Sequence, residues 1–393
     1  MKLKVVLLSA AGLAASAAPG AAPSPASAPA CSREAVAAAG AAVRSARSDL
    51  IASPLEADGT SVPPPASRAI ERVKDRLRDF VRAEMACAAA SPDVEALAGA
   101  MAARSGFFTF AAPGHRAPEP PDRHGGALGF EVRRVEFHSD MLAVVATLGI
   151  KCGSDSMLML YRRSGRAWRE LMVRRAAPYS EVSGGWQDLR FAVSPADAQG
   201  KWFIATASTT PWCTSAWQGL PYELARPGPA PDRPNVFFRG KNTIYLGNED
   251  DLLVQAERDA FEIRHDGSSL DPEILIRRHV RRYAVAGESV TRVQPVAESV
   301  RDFVDEWIAA EWGEAQAWSG GNPALAAAHS SLQAARYKTL GGFASIRDCE
   351  GGAIQVEIAG QDGPGWFLRV RGGSIGPWAI ERVEQRGCAG PTP

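Results

Sequence analysis

The sequence predicts an α+β, mostly β protein: an N-terminal helical region, an antiparallel β-rich body of sandwich or propeller-like type, one long amphipathic helix and a small C-terminal β-sheet. Three observations carry that class. Apolar residues recur at helical spacing up to about residue 105. The period then drops to two across many short runs divided by Gly, Pro, Ser and Asp. A helical stripe returns near residue 300, and alternation resumes after it.

At the start, Lys2 and Lys4 precede an apolar, small-residue run over 5–17 that ends in Ala15-Ser16-Ala17, the pattern of a signal peptide with an A-x-A cleavage site. Residues 18–30 are rich in Ala, Pro and Ser and read as a linker. An acylated Cys31 would need a cleavage point where Pro29 stands, far from the apolar run, so lipidation is set aside. No second stretch of about eighteen apolar residues follows, so no transmembrane segment is expected in the mature chain. The expected location is exported, periplasmic or secreted.

Cysteine usage agrees with export. Cys31, Cys87, Cys152, Cys213, Cys349 and Cys388 include no CxxC and no zinc-type Cys/His cluster. An even count in an exported chain points to disulfides. Grouping by module pairs Cys31 with Cys87, Cys152 with Cys213, and Cys349 with Cys388. The third pair requires the tail to fold back, because a plain meander leaves its two cysteines at opposite ends. Lys+Arg and Asp+Glu both number 44, and loss of Lys2 and Lys4 leaves 42 against 44, a balance that excludes nucleic acid as an expected partner.

The helical region covers 31–105. Val36, Val43 and Leu50 mark a helix over 32–52, and Ile70, Val73, Leu77, Phe80, Val81 and Met85 form the stripe of a second helix. Ser91-Pro92-Asp93 starts a third, in which Ser can cap, and Gly106 closes it. The β-rich body spans 106–297, with runs at 107–110, 130–137, 141–150, 157–161, 168–173, 189–193, 202–207, 235–238, 243–246, 252–256, 261–264, 274–279 and 283–285. "CGSDSMLMLY" from Cys152 and "CTSAWQGLPY" from Cys213 share Cys, Ser and Tyr at matching offsets, as equivalent positions of neighbouring sheets would.

An amphipathic helix is expected over 298–319, begun by Ser299 with Asp302 three residues on. Helical projection places Val300, Phe303, Val304, Trp307, Ile308, Ala315 and Trp318 on one side, with Asp302, Asp305 and Glu306 on a solvated face. Glu311 falls within the apolar stripe, where desolvation against tryptophan would raise a carboxyl pKa and suit a general acid. Gly313 disrupting the helix and turning Glu311 outward is the structural alternative, and it carries more weight. The C-terminal sheet over 340–393 contains runs at 353–359, 366–371 and 378–384.

Other chemical signals fail on context. "GGSIG" at 372–376 matches a nucleophile pattern, but a strand-like run follows Ser374 and no histidine comes after it. His115 and His124, with Glu119 and Asp122 between them, sit in a proline-rich loop that does not preorganise a metal. "NEDD" at 248–251 lacks calcium-loop spacing, and His265, His279 and His329 have no motif around them. No metal or cofactor is expected. The leading reading is a disulfide-stabilised binding or scaffolding protein for a glycan or peptide ligand, with Trp212, Trp217 and Tyr222 of the 209–222 stretch as candidate contacts. The competing reading is an envelope- or glycan-directed hydrolase with Glu311 in a carboxylate site.

Overall fold

The computed structural model describes residues 31–53, 63–106, 128–150, 153–175, 189–209, 216–245, 252–270, 274–293, 297–336, 338–361, 364–372 and 377–388. The leader, the linker, the run at 107–110, His115, His124, Cys152, Trp212, Cys213, the acidic turn at 248–251 and Ser374 lie outside these residues. The rest forms an α+β, mostly β structure with four four-stranded antiparallel sheets, each a meander in which chain neighbours are sheet neighbours. No described helix is long and apolar enough to cross a membrane.

Helices α1 (Arg33–Ile51), α2 (Pro64–Cys87) and α3 (Val94–Ser105) open the chain. Ser32 caps α1 by accepting from the Ala35 amide. Asp93, not Ser91, caps α3, accepting from the amides of Glu95 and Ala96 at 3.0 Å. Gly106 ends α3 with φ at 77°, a left-handed conformation that favours glycine. Every residue of the expected α2 stripe is buried, from Ile70 to Met85. Each such side chain stabilises by roughly 1.5–3 kcal/mol relative to exposure. Cys31 bonds Cys87 and ties the start of α1 to the end of α2.

The stripe packs on the first sheet, β1 (Leu128–Val135), β2 (His138–Ile150), β3 (Gly153–Ser164) and β4 (Ala167–Arg175). Alternation makes this sheet apolar on both faces. Leu142, Val144, Met157 and Met159 meet the helices, whereas Met141, Ala143, Leu158 and Leu160 meet the second sheet. That sheet comprises β5 (Leu189–Val193), β6 (Ile204–Ser208), β7 (Trp217–Ala230) and β8 (Arg233–Tyr245). Its far face meets the third sheet, β9 (Leu252–Ala256), β10 (Ala260–Ser268), β11 (Ile276–Ala286) and β12 (Ser289–Arg292). Face-to-face packing in chain order therefore buries both sides of the middle layer.

Strand β7 runs through Gly219 and Pro221. The β6 ladder covers only Tyr222 to Ala225 of β7, so Pro221 faces no β6 partner and its missing N–H breaks no bond there.

The single helix expected over 298–319 is two. Helix α4 (Val300–Ala309) ends where Ala310 is extended, and α5 (Trp312–Ala317) follows, then α6 (Ala326–Ala335), which the alanine-rich sequence did not announce. Ser299 caps α4 as expected, accepting from the Asp302 amide at 3.2 Å. Trp307 is fully buried and its indole N–H donates to the Ala315 carbonyl and to Ser319 Oγ, which pins α5 back onto α4.

These helices cover one face of the last sheet, β13 (Leu340–Asp348), β14 (Ala353–Gly360), β15 (Trp366–Arg371) and β16 (Ala379–Glu384), through Val356, Ile358, Leu368, Val370 and Ile380. The chain after β16 folds back, so that the Cys388 amide donates to Gln355 Oε1 at 3.0 Å and Cys388 bonds Cys349. Closing that loop constrains the unfolded chain by about 4 kcal/mol in the chain-entropy treatment.

Candidate functional site

Among the described residues, Trp217, Tyr222 and Glu311 are the candidates that the structure places, and they stand apart. Tyr222 is buried between the second and third sheets, its hydroxyl 2.6 Å from that of Tyr283, beside Phe238 and Phe261. Trp217, five residues earlier, points from the opposite face of β7 and packs edge-on against Tyr245. Glu311 is exposed in the break between α4 and α5, which is the outward alternative and not the apolar stripe, although the break falls at Ala310 and not at Gly313. The reason is the extended backbone at Ala310, which resets the helical phase before Glu311.

The solvated face expected for α4 is corrected as well. Asp305 and Glu306 are completely buried, at 0% and 1% exposure, against cations from three other elements. Asp305 accepts from Arg277 Nε at 2.7 Å and from Arg336 Nη2 at 2.6 Å. Glu306 Oε1 accepts from Arg277 Nη2 at 3.0 Å and from His279 Nδ1, while Oε2 accepts from Arg292 Nη2 at 2.7 Å. Arg292 also reaches Glu314 at 2.9 Å. Burial works to raise the Glu306 carboxyl, but the His279 hydrogen bond and the charges of Arg281 and Arg292 outweigh it and hold it well below the usual carboxylate range.

His279 stacks on His265, with ring centroids 5.2 Å apart and planes within 10°. Both rings are buried, and the close approach leaves no room for a Cβ at Gly267, which would stand 2.9 Å from the His279 ring. His279 Nε2 faces the Ser268 carbonyl at 3.2 Å, and its Nδ1 faces Glu306 Oε1. His265 instead donates from Nδ1 to the Asp266 carbonyl and accepts at Nε2 from Asn242, which makes it neutral. Burial first, then the charges of His279 and Arg281, push the His265 pKa down to about 3.

A pH dependence follows. The folded state keeps His265 neutral while the unfolded chain protonates it below about pH 6.5, so its contribution to stability is lost progressively from there down to about pH 3. Urea unfolding of the native chain and of His265→Asn at pH 7, 6, 5 and 4 is expected to show the native chain losing ground by roughly 1 kcal/mol per pH unit below pH 6. Parallel curves would contradict the neutral assignment. The opposite trend from Asp155, raised to about 6, is common to both chains and cancels.

A second charged assembly joins α2 to the first sheet. Lys74, 1% exposed, stands 2.7 Å from Glu71 and 2.9 Å from Asp155. Burial pushes the Asp155 carboxyl up to about 6, against the pull of the Lys74 ammonium. Alongside, Glu170 of β4 takes Arg78 through two nitrogens, at 3.1 and 2.9 Å, and Arg82 Nε at 2.8 Å.

Over this joint opens a cleft of about 480 Å³, lined by Asp75, Arg78, Val173, Arg174, Arg175 and Asp232. Helix α2 supplies one wall and β4 the floor, while the β7–β8 turn is anchored by the Val173 amide donating to the Pro231 carbonyl at 2.8 Å. Arg175 pairs with Asp75 at 2.6 Å, Arg78 reaches Asp232 at 3.9 Å, and Arg174 pairs with Glu223. Charges of both signs thus converge on one concave surface. Sequence reasoning missed it because its residues come from three segments, and the one local signal is the Arg174-Arg175 pair at the end of an apolar strand.

Fold and cleft together define a protein of layered antiparallel sheets with, among the described residues, two disulfides and charged groups set between layers. No family model, curated protein or solved structure matches the chain.

Proposed function

We propose that the chain is an exported, disulfide-stabilised binding or scaffolding protein whose ligand contacts fall in the cleft between α2, β4 and the β7–β8 turn. The cleft itself carries this reading. Its volume of about 480 Å³ falls in the range of small-ligand sites, roughly 300–1,000 Å³. Arg78 and Arg174 are held by Glu170 and Glu223, which lowers the ordering penalty of binding. Export is supported by the two disulfides and by the signal-like leader.

Of the two ligand classes expected from the sequence, a peptide segment bearing charges of both signs suits the cleft better than a neutral glycan, because its lining carries three arginines and two aspartates. Calorimetric titration of the mature chain with short peptides containing adjacent Lys and Glu is expected to show binding, weakened about tenfold or more in Arg175→Gln/Asp232→Lys, a change of about 1.4 kcal/mol. Peptides that do not bind, or that bind both chains equally, would sink the proposal.

A further inference from the structure

Lys74 of α2 and Asp155 of β3 meet inside the joint between the helical layer and the first sheet, each 1% exposed. Lys74 Nζ stands 2.9 Å from Asp155 Oδ2 and 2.7 Å from Glu71 Oε1. Neither contact has the angles of a hydrogen bond: Lys74 Nζ, Glu71 Oε1 and both Asp155 oxygens are buried without one. The walls are apolar. Ile70, Val73 and Leu77 flank Lys74 along α2, and Leu148 stands opposite Asp155 in the β2–β3 ladder, all at 0 or 1% exposure.

An amine and a carboxyl are thus held in contact, shielded from solvent, with a second carboxylate against the amine. Two full charges so incompletely bonded are costly to bury, and a neutral product of the same atoms is favoured there. Burial draws Asp155 toward the neutral acid, the form that an amine attacks, by pushing its carboxyl up to about 6. Fixed contact also replaces a chance encounter, which is a large part of the barrier to any condensation.

We propose that Lys74 and Asp155 join covalently in the folded chain, through an isopeptide bond whose formation Glu71 assists. Glu71 takes a proton from the Lys74 ammonium, and the freed amine attacks Cγ of Asp155. The C–N bond forms, one Asp155 C–O bond breaks, and the departing oxygen leaves as water, carrying that proton and a second one from the same nitrogen. An ammonium and a carboxylate become one amide and one water, with no other reactant. Arg175, 3.7 Å from Glu71 Oε2, steadies the proton carrier. The bond ties α2 to β3 and restricts the unfolded chain as a disulfide does. Its residues do not line the α2–β4 cleft, so ligand binding and bond formation can each fail alone. Lys74→Met and Lys74→Met/Asp155→Leu both lack the amine, so the difference between them reports the stranded Asp155 charge and not the bond.

The test is the intact mass of the mature chain, incubated at neutral pH and then denatured and reduced. The native chain is expected to be lighter than its sequence by one water, and its digest to contain a branched peptide that joins the segments around Lys74 and Asp155. Lys74→Arg keeps the positive charge without an amine and is expected to show its full sequence mass. Glu71→Gln is expected to give a native circular dichroism spectrum and to retain the water. The native measurement needs no variant, so it decides the question even where a substituted chain does not fold. A native chain at full sequence mass, a water loss that maps to another aspartate, or an equal loss in Lys74→Arg would each overturn the bond, and an equal loss in Glu71→Gln would overturn the role given to Glu71.

Discussion

Replacing Glu306 by leucine is expected to lower stability by about 3–5 kcal/mol, the usual loss when one partner of a buried ionic network is removed. The side chain is 1% exposed and satisfies Arg277, Arg292 and His279 at once. Its loss leaves Arg292 with only the part-exposed Glu314, and His279 with no carboxylate. Urea unfolding at pH 7 measures the effect, with Glu311→Leu as the comparison. Glu311 is exposed and its side chain makes no cap hydrogen bond, so its replacement is expected to stay within about 0.5 kcal/mol. A Glu306→Leu chain as stable as that control would mean the network contributes nothing to the joint between α4 and the third sheet.

Lys74→Met is expected to act with similar force at the other end of the molecule. It leaves Glu71 and the buried Asp155 as adjacent carboxylates with their shared cation gone, which should destabilise by about 3–5 kcal/mol. The double replacement Lys74→Met/Asp155→Leu removes the stranded charge together with its partner, and is expected to recover most of that loss. A double-mutant cycle by urea unfolding checks it. Strictly additive losses would show that the two side chains do not depend on each other.

Much of this architecture was legible because it rests on apolar periodicity. The α2 stripe, the Ser299 cap and the two-residue alternation of the sheets follow from local spacing, and the pairs Cys31–Cys87 and Cys349–Cys388 from grouping by module. What was not legible is charge placed between layers. Asp305 and Glu306 lie opposite the apolar stripe of α4, and the pattern alone assigns such residues to water. Only the tertiary approach of Arg277, Arg292 and Arg336 makes burial tolerable. His265 and His279 had no neighbouring motif because their pairing crosses a hairpin, though the alternation Arg277, His279, Arg281 was there to be read. Helix α6 hid in an alanine-rich stretch of weak amphipathicity, and β7 hid behind prolines that an incompletely paired strand accommodates. The cleft draws on α2, β4 and a hairpin turn, so no window of sequence contains it.

The central claim is that each charged cluster fastens its own pair of layers. Native-state hydrogen exchange on Glu306→Leu tests it most directly. Amides of β10, β11 and α4 are expected to lose protection by about 100-fold or more, the equivalent of roughly 3 kcal/mol, while β2 and β3 keep theirs. An equal loss across all four sheets, or unchanged protection in β11 and α4, would contradict the account.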